Sequence, residues 1–243
     1  MKKIIIIPAR LGSKRLTSKV LLDLKGKTLI QRVFENSLKA NVNDVYIATD
    51  SEIIKNASIS FTNNVILTSD KHLTGSDRVA EASENIECDI VVNVQADEPF
   101  IKSSTINSLL NCFLDKKVNM ASAMYSIKDK KVLNNPNEVK VSVDNEGNAL
   151  FFSRYPSLRV KSNWIKNKID HNNNYFIHKG IYAFRKEFLL KFLKMERTYF
   201  EKVESLEQLR VLESGYKIKM IKVEDESIGI DTIEDYRKAL KKL

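Results

Sequence analysis

Short apolar runs alternate with stretches of helical periodicity from Lys3 to Leu114, and that alternation leaves few architectures open to the chain. KIIIIPA (3–9) is a continuous β-branched run, the pattern of a strand buried on both faces. From Leu29 the period becomes helical. Leu29, Ile30, Val33, Phe34 and Leu38 share one side, and Thr28 and Gln31 are placed as a capping box. DVYIATD (44–50), NVILT (64–68) and DIVVNVQADEP (89–99) repeat the strand signal. SEIIKNAS (51–58), GSDRVAEASENI (75–86) and SSTINSLLNCFL (103–114) repeat the helical one. This order specifies an α/β fold with a mostly parallel central sheet and helices on both faces.

The second half reads differently. EVKVSVDNEGNALFFSR (138–154) is a hairpin turning at DNEG, and YFIHKGIYAFR (175–185) is a further strand. ESLEQLRVLESG (204–215) is expected as a helix closed by Gly215, and YKIKMIKV (216–223) as a half-exposed or edge strand. IDTIEDYRKAL (230–240) leads into a terminal helix, and residues 155–174, poor in apolar positions, are expected as a mobile loop. A length of 243 residues suits one α/β domain with an appended piece. The expectation is therefore a single domain over 1–243 with a smaller β-rich insertion at about 130–190.

Bulk properties narrow the class of protein. The 7 glycines and 4 prolines are too few for a collagen-like or Gly/Pro-rich disordered chain. The net charge of +9 allows nucleic acid, an anionic surface or small polyanions as partners, and much of it lies in Lys-rich stretches that read as solvated faces. Cys88 and Cys112 show no CxxC spacing, which points to core thiols of a reducing compartment. No apolar stretch approaches the ~18 residues of a membrane span. The apolar run of MKKIIIIPAR is too short for a signal peptide, so a cytoplasmic location is expected.

In open parallel sheets ligands bind at the carboxyl ends of the strands. Those ends carry Arg10, Gly12, Ser13, Lys14, Arg15 and Lys19 after the first strand, Thr49 and Asp50 after the second, and Gln95, Asp97 and Glu98 after the fourth. Cations alone would suggest an anion; carboxylates beside them suggest a divalent metal shared with phosphates. GKT (26–28) is not a P-loop, because the glycine required five positions before Gly26 is Leu21. GxGxxG is absent as well. Phosphate would thus be gripped mainly by Arg and Lys side chains, helped by backbone N–H near Gly12 and Ser13. A basic nucleic-acid-binding protein is the rival from another class; it is disfavoured by the carboxylates among the cations and by the lack of a recognised nucleic-acid module.

IIPARLGSKRLTSKVLLDLKGKTLIQRV (6–33) resembles the signature loop of the sugar nucleotidyltransferases. HLTGSDRVAEA (72–82), VVNVQADEPFI (91–101), FFSR (151–154), HKGIYAFR (178–185), ESLEQLRVLESG (204–215) and IGIDTIEDYRKAL (228–240) are similar, in order, to segments of the CMP-Kdo synthetases within that family. Two segments depart from the family pattern: Thr17-Ser18 stand where relatives usually carry Pro-Gly, and Ala96 stands for the usual Gly before Asp-Glu-Pro.

The resemblance implies a Rossmann-like nucleotidyltransferase fold and transfer of CMP from CTP to the anomeric hydroxyl of Kdo, releasing pyrophosphate, for lipopolysaccharide assembly. The alternative is a related acid sugar, 8-amino-Kdo or a sialic-type acid. Asp97 and Asp231 are implied as ligands of Mg²⁺, although each by itself could be a cap. Arg10, Arg15 and Lys19 are implied to hold the triphosphate, with Lys14 a weaker candidate, and Asp97, Asp231, Lys19 and Arg10 to be the catalytic set. Ala9, Leu11, Gly12, Ser13, Ser76, Arg78 and Gln95 would complete the CTP site. Arg154, His178, Tyr182, Glu207 and Gln208 would meet the sugar. A homodimer formed largely through the middle insertion is implied, with no nucleic-acid or membrane partner.

Overall fold

A computed structural model describes residues 1–12, 16–127, 130–156, 175–224 and 229–243. In chain order its strands and helices are β1 (Lys3–Ala9), α1 (Leu29–Ser37), β2 (Asp44–Thr49), α2 (Glu52–Ser58), β3 (Val65–Leu67), α3 (Gly75–Ser83), β4 (Ile90–Asn93) and α4 (Ser103–Asn111). There follow β5 (Met120–Tyr125), β6 (Lys140–Val143), β7 (Ala149–Ser153), β8 (Tyr175–Arg185), α5 (Lys186–Leu193), α6 (Tyr199–Glu204), α7 (Leu209–Glu213), β9 (Lys219–Lys222) and α8 (Ile233–Lys242). The chain divides into two compact units. One comprises Met1–Asn111, Ile181–Leu193 and Ser227–Leu243; the other comprises Cys112–Gly180 and Lys194–Glu226. The segment expected as an insertion, about 130–190, is shared between them.

In the first unit the strand order is β3-β2-β1-β4-β8, with β1 parallel to both β2 and β4, β2 parallel to β3, and β8 antiparallel to β4 from Ile90↔Arg185 to Asn93↔Tyr182. The isoleucines Ile4 to Ile7 are fully buried, as are Ile47, Val91 and Val92, so the continuous apolar runs do mark strands covered on both faces. The order steps outward from β1 to β3 and then returns to β4. With right-handed crossovers, that reversal puts α3 on the opposite face from α1 and α2. The observed packing of α1 on α4 and of α3 on α5 fits two helical layers. The reversal also makes the gap between the carboxyl ends of β1 and β4 a topological switch point.

Local signals explain the helix starts. Thr28 accepts from the Gln31 N–H at α1, Ser51 from Ile54 N–H at α2, and Thr74 and Asp77 form a reciprocal capping box at α3.

The second unit contains the expected hairpin: β6 pairs antiparallel with β7, and Gly147 turns the chain at φ 76°. β6 also pairs antiparallel with Tyr175–Ile177 of β8, and β5 pairs in parallel with β9. The helix expected over 204–215 is corrected. Ser205 adopts a left-handed conformation that ends α6, and α7 begins only at Leu209. Three elements without a clear sequence signal, β5, α5 and α6, are present as well. Among the described residues, no helix is long and apolar enough to cross a membrane.

Candidate active site

At the switch point lies a cavity of about 350 Å³ lined by Pro8, Ala9 and Arg10 from the end of β1, Lys19 and Val20 from the loop that follows, His72 to Gly75 and Arg78 at the start of α3, Gln95 to Asp97 after β4, and Asp231 before α8. Every strand-end position named above for β1 and β4 on functional grounds is thus near one opening, apart from Gly12 and Glu98, which do not line it, and Ser13, Lys14 and Arg15, which lie outside the described residues.

The centre is a charge triad. Lys19 Nζ donates to Asp97 Oδ2 at 2.6 Å and to Asp231 Oδ1 at 2.8 Å. The Lys19 side chain is only 13 % exposed. Burial alone would lower its pKa, yet the charges and acceptor oxygens of Asp97 and Asp231 outweigh that and hold it above the usual lysine value.

Two features bring the carboxylates together. Ile230 N–H donates to the Asp97 carbonyl at 2.9 Å, which ties the residue before Asp231 directly to Asp97. Ile230 and Ala239 are also fully buried with Leu24 and Leu29, so the terminal segment is fixed against the loop that carries Lys19. Capping of α8 belongs to Thr232, which forms a reciprocal box with Asp235.

Lys19 itself starts a short 3₁₀ turn, Lys19–Leu21. Ser18, just before it, adopts φ 54° and ψ 27°, the left-handed conformation, and its N–H donates to the Leu11 carbonyl at 3.2 Å. The departure from the family pattern therefore sits at a position that favours glycine.

The other wall is rigid. Arg78, 4 % exposed, donates to Asp50 Oδ2 at 2.7 Å and to Thr68 Oγ1 at 2.5 Å. Gln95 Nε2 donates to Asn93 Oδ1 at 3.2 Å, and Asn93 Nδ2 donates to Ser76 Oγ at 3.2 Å. Ser76 is thus buried behind the cavity wall and supports Gln95 through Asn93. Arg10 is exposed at the opening, and Leu11 and Gly12 lie beside the cavity without lining it.

His72 was assigned no role from sequence, yet it lines the cavity with its Nε2 bonded to Glu81, whose carboxylate also accepts the Ser69 N–H. Burial raises the Glu81 pKa, but these bonds outweigh it and hold the group below the usual range. The strand-end rule applied to the segment between β3 and α3 would have found His72 to Thr74.

Of the residues expected to meet a sugar, Tyr182 lies in the first unit and the other four in the second. Arg154 directs Nε to the Glu204 carbonyl at 2.8 Å and Nη1 to the Pro136 carbonyl at 3.0 Å, so it ties backbone segments together. His178 is buried, bonded through Nε2 to Ser122 Oγ at 2.8 Å and edge-on to Phe152; burial lowers its pKa to about 3, so the ring is neutral. Glu207 and Gln208 lie in the turn that enters α7, with Gln208 buried. Tyr182 is buried, its ring 6.2 Å from that of Phe184.

The pattern that defines the cytidylyltransferase family matches residues 4–220. The 3-deoxy-manno-octulosonate cytidylyltransferase of Flavobacterium johnsoniae is 43 % identical over 245 residues, covering 98 % of this chain and 97 % of that protein. The protein of the same description from Geotalea daltonii is 43 % identical over 249 residues, covering 100 % and 98 %. Among solved structures, a CMP:2-keto-3-deoxy-manno-octonic acid synthetase complexed with CTP superposes with a TM-score of 0.91 at 34 % identity, over 99 % of this chain and 98 % of that one. With the family pattern spanning residues 4–220 and full-length relatives of one description, the chain belongs to the cytidylyltransferase family, in its 3-deoxy-manno-octulosonate cytidylyltransferase branch.

Proposed function

We propose that the protein transfers CMP from CTP to the anomeric hydroxyl of Kdo, giving CMP-Kdo and pyrophosphate, a product suited to lipopolysaccharide assembly. The observation that carries the reading is the single cavity in which Lys19 and Arg10 meet Asp97 and Asp231 at the switch point of the sheet. A site for a polyphosphate needs cations for the phosphates and hard oxygens for the metal they share, and both are present.

In this reading the sugar hydroxyl oxygen attacks the α-phosphorus, a new O–P bond forms, and the bond to the bridging oxygen of pyrophosphate breaks. Lys19 and Arg10 offset the charge that accumulates on the phosphates. Arg78 and Gln95, each fixed by its own partner, bind the nucleoside end. Pro8 and Ala9 supply an apolar floor.

The residues fit a divalent metal. Asp97 and Asp231 each direct one oxygen to one common cationic point. Two carboxylates with the remaining positions left to water and phosphate oxygens is the usual arrangement for Mg²⁺. When bound there, Mg²⁺ supplies Lewis acidity to the reacting oxygens.

The sugar contacts assigned to Arg154, His178, Tyr182, Glu207 and Gln208 rest on the resemblance to the family. A homodimer is proposed through the second unit, which exposes Leu150, Tyr155, Tyr199, Phe200 and Val203 on or beside β7 and α6, with the Phe151 and Phe200 rings 5.7 Å apart.

Pyrophosphate release measured with Kdo, 8-amino-Kdo and sialic acid, each with CTP and with the other nucleoside triphosphates, tests the reading. Turnover is expected with CTP and Kdo. Turnover with another acid sugar but not Kdo would overturn the substrate; no pyrophosphate with any acid sugar would overturn the reaction.

A further inference from the structure

Lys19 has two employments that exclude one another: it neutralises Asp97 and Asp231, or it neutralises phosphate. We infer that the Lys19 ammonium is a latch on the metal carboxylates, holding them together until the triphosphate draws it off, so that a divalent cation binds tightly only with the nucleotide. This rests on the reading of Asp97 and Asp231 as metal ligands, and it adds how that site is controlled.

The geometry carries the argument. Nζ sits 2.6 Å and 2.8 Å from one oxygen of each carboxylate, so two of its three donors are spent there. A divalent cation held between the two carboxylates would lie roughly 2.1 Å from their oxygens, at or beside the point that Nζ occupies. Both cations cannot share that point, because like charges a few ångströms apart repel. The lysine must leave, and its attachment permits this. The main chain is pinned by Val20, 2 % exposed, while the ammonium ends a flexible four-carbon stem.

Among the described residues, neither of the other cations lining the cavity, Arg10 and Arg78, is placed to take this part. Arg78 is held by Asp50 and Thr68, and Arg10 is exposed at the opening. A triphosphate offers more negative charge than two carboxylates, so it is the natural competitor for Lys19. Linkage then requires that the nucleotide raise the affinity for the metal, and that the metal raise the affinity for the nucleotide by the same factor.

Mn²⁺ binding to the full chain without nucleotide, read from the loss of the free-ion EPR signal, tests the latch. Wild type is expected to bind weakly. Lys19→Met is expected to bind about ten-fold tighter or more, within the usual range of coupling between sites, and Lys19→Met with Asp97→Asn is expected to lose that gain. Lys19→Gln repeats the measurement should Lys19→Met fold poorly. Equal, measurable affinity in wild type and both Lys19 variants would overturn the latch while leaving the metal site standing. Lys19 variants that bind no better than the double variant, with no specific Mn²⁺ in wild type either, would overturn the metal site and the latch with it.

Discussion

Ser18 is a position where this chain departs from the family pattern it resembles and where the backbone disfavours an L-residue. Its φ of 54° and ψ of 27° lie in the left-handed region, and its side chain makes no cap hydrogen bond. The hydroxyl therefore repays none of the cost, which is about 1–2 kcal/mol for an L-residue. Replacing Ser18 by Gly removes that cost. The greater freedom of glycine in the unfolded chain returns about 0.5–1 kcal/mol of it. The net expectation is a gain of about 0.5–1 kcal/mol, or a melting temperature about 1–4 °C higher for a chain of this size.

Scanning calorimetry on wild type, Ser18→Gly and Ser18→Ala measures this. Alanine keeps the Cβ and so keeps the strain, and should gain nothing. The bond from Ser18 N–H to the Leu11 carbonyl and the turn that presents Lys19 survive in both variants. The KM for CTP should accordingly stay within about two-fold, as expected when no contact is lost. A gain in Ser18→Ala equal to that in Ser18→Gly, or a fall in Ser18→Gly, would refute the strain argument.

Other perturbations probe each unit. Arg210 Nη2 meets Glu201 at 2.6 Å with both side chains buried, and Arg197 Nε lies 3.1 Å from Glu201 as well; Arg210→Met should cost about 1–3 kcal/mol in urea unfolding, since Glu201 keeps one cation, and adding Glu201→Met should recover part of it. Arg78→Lys cannot reproduce the fork held by Asp50 and Thr68, so the KM for CTP should rise about ten-fold at similar stability. His178, with its pKa lowered to about 3 by burial, is neutral when folded but takes up a proton below about pH 6.5 when unfolded. The stability it provides is full above that pH and falls as pH drops toward 3. Between pH 7 and 5 the loss is about 2 kcal/mol, and His178→Gln should flatten the corresponding slope in urea titrations.

The parallel half of the fold was legible because each of its strands is bounded by clear punctuation. The isoleucine run ends at Pro8, and Thr28, Ser51 and Thr74 mark helix starts that the structure reproduces as side-chain caps. β5 and α5 escaped notice for a physical reason. Residues 120–125 read MASAMY, with no β-branched residue to set them apart from a helix, though they are almost wholly buried. KEFLLKFL follows the β8 strand without a glycine, proline or cap between them, so the change of period has no marker. The break at Ser205 was hidden because serine gives little warning of a left-handed residue, whereas the equivalent turn at Gly147 was announced by its glycine.

The site posed a harder problem, and its solution lies in what the helix cap does not need. From sequence, Asp231 and Thr232 are equal candidates to cap α8, and Asp97 is a plausible cap for the turn before Pro99. In the structure Thr232 Oγ1 accepts the Asp235 N–H while the Asp235 carboxylate accepts from Thr232, so the helix end is satisfied without the Asp231 side chain. A carboxylate freed from capping and left 45 % exposed next to a lysine has only a modest stabilising role. Its neighbour Ile230, by contrast, is fully buried and bonded to the Asp97 carbonyl. The fold thus secures the backbone around Asp231 firmly and leaves its carboxylate partly exposed and bonded to Lys19, a cation that phosphate would claim in the proposed site. That division between a fixed main chain and an exchangeable charge suits the metal–nucleotide site proposed above, and no single stretch of sequence could display it, because the Ile230–Asp97 bond and the packing of Ile230 and Ala239 on Leu24 and Leu29 bring distant segments together.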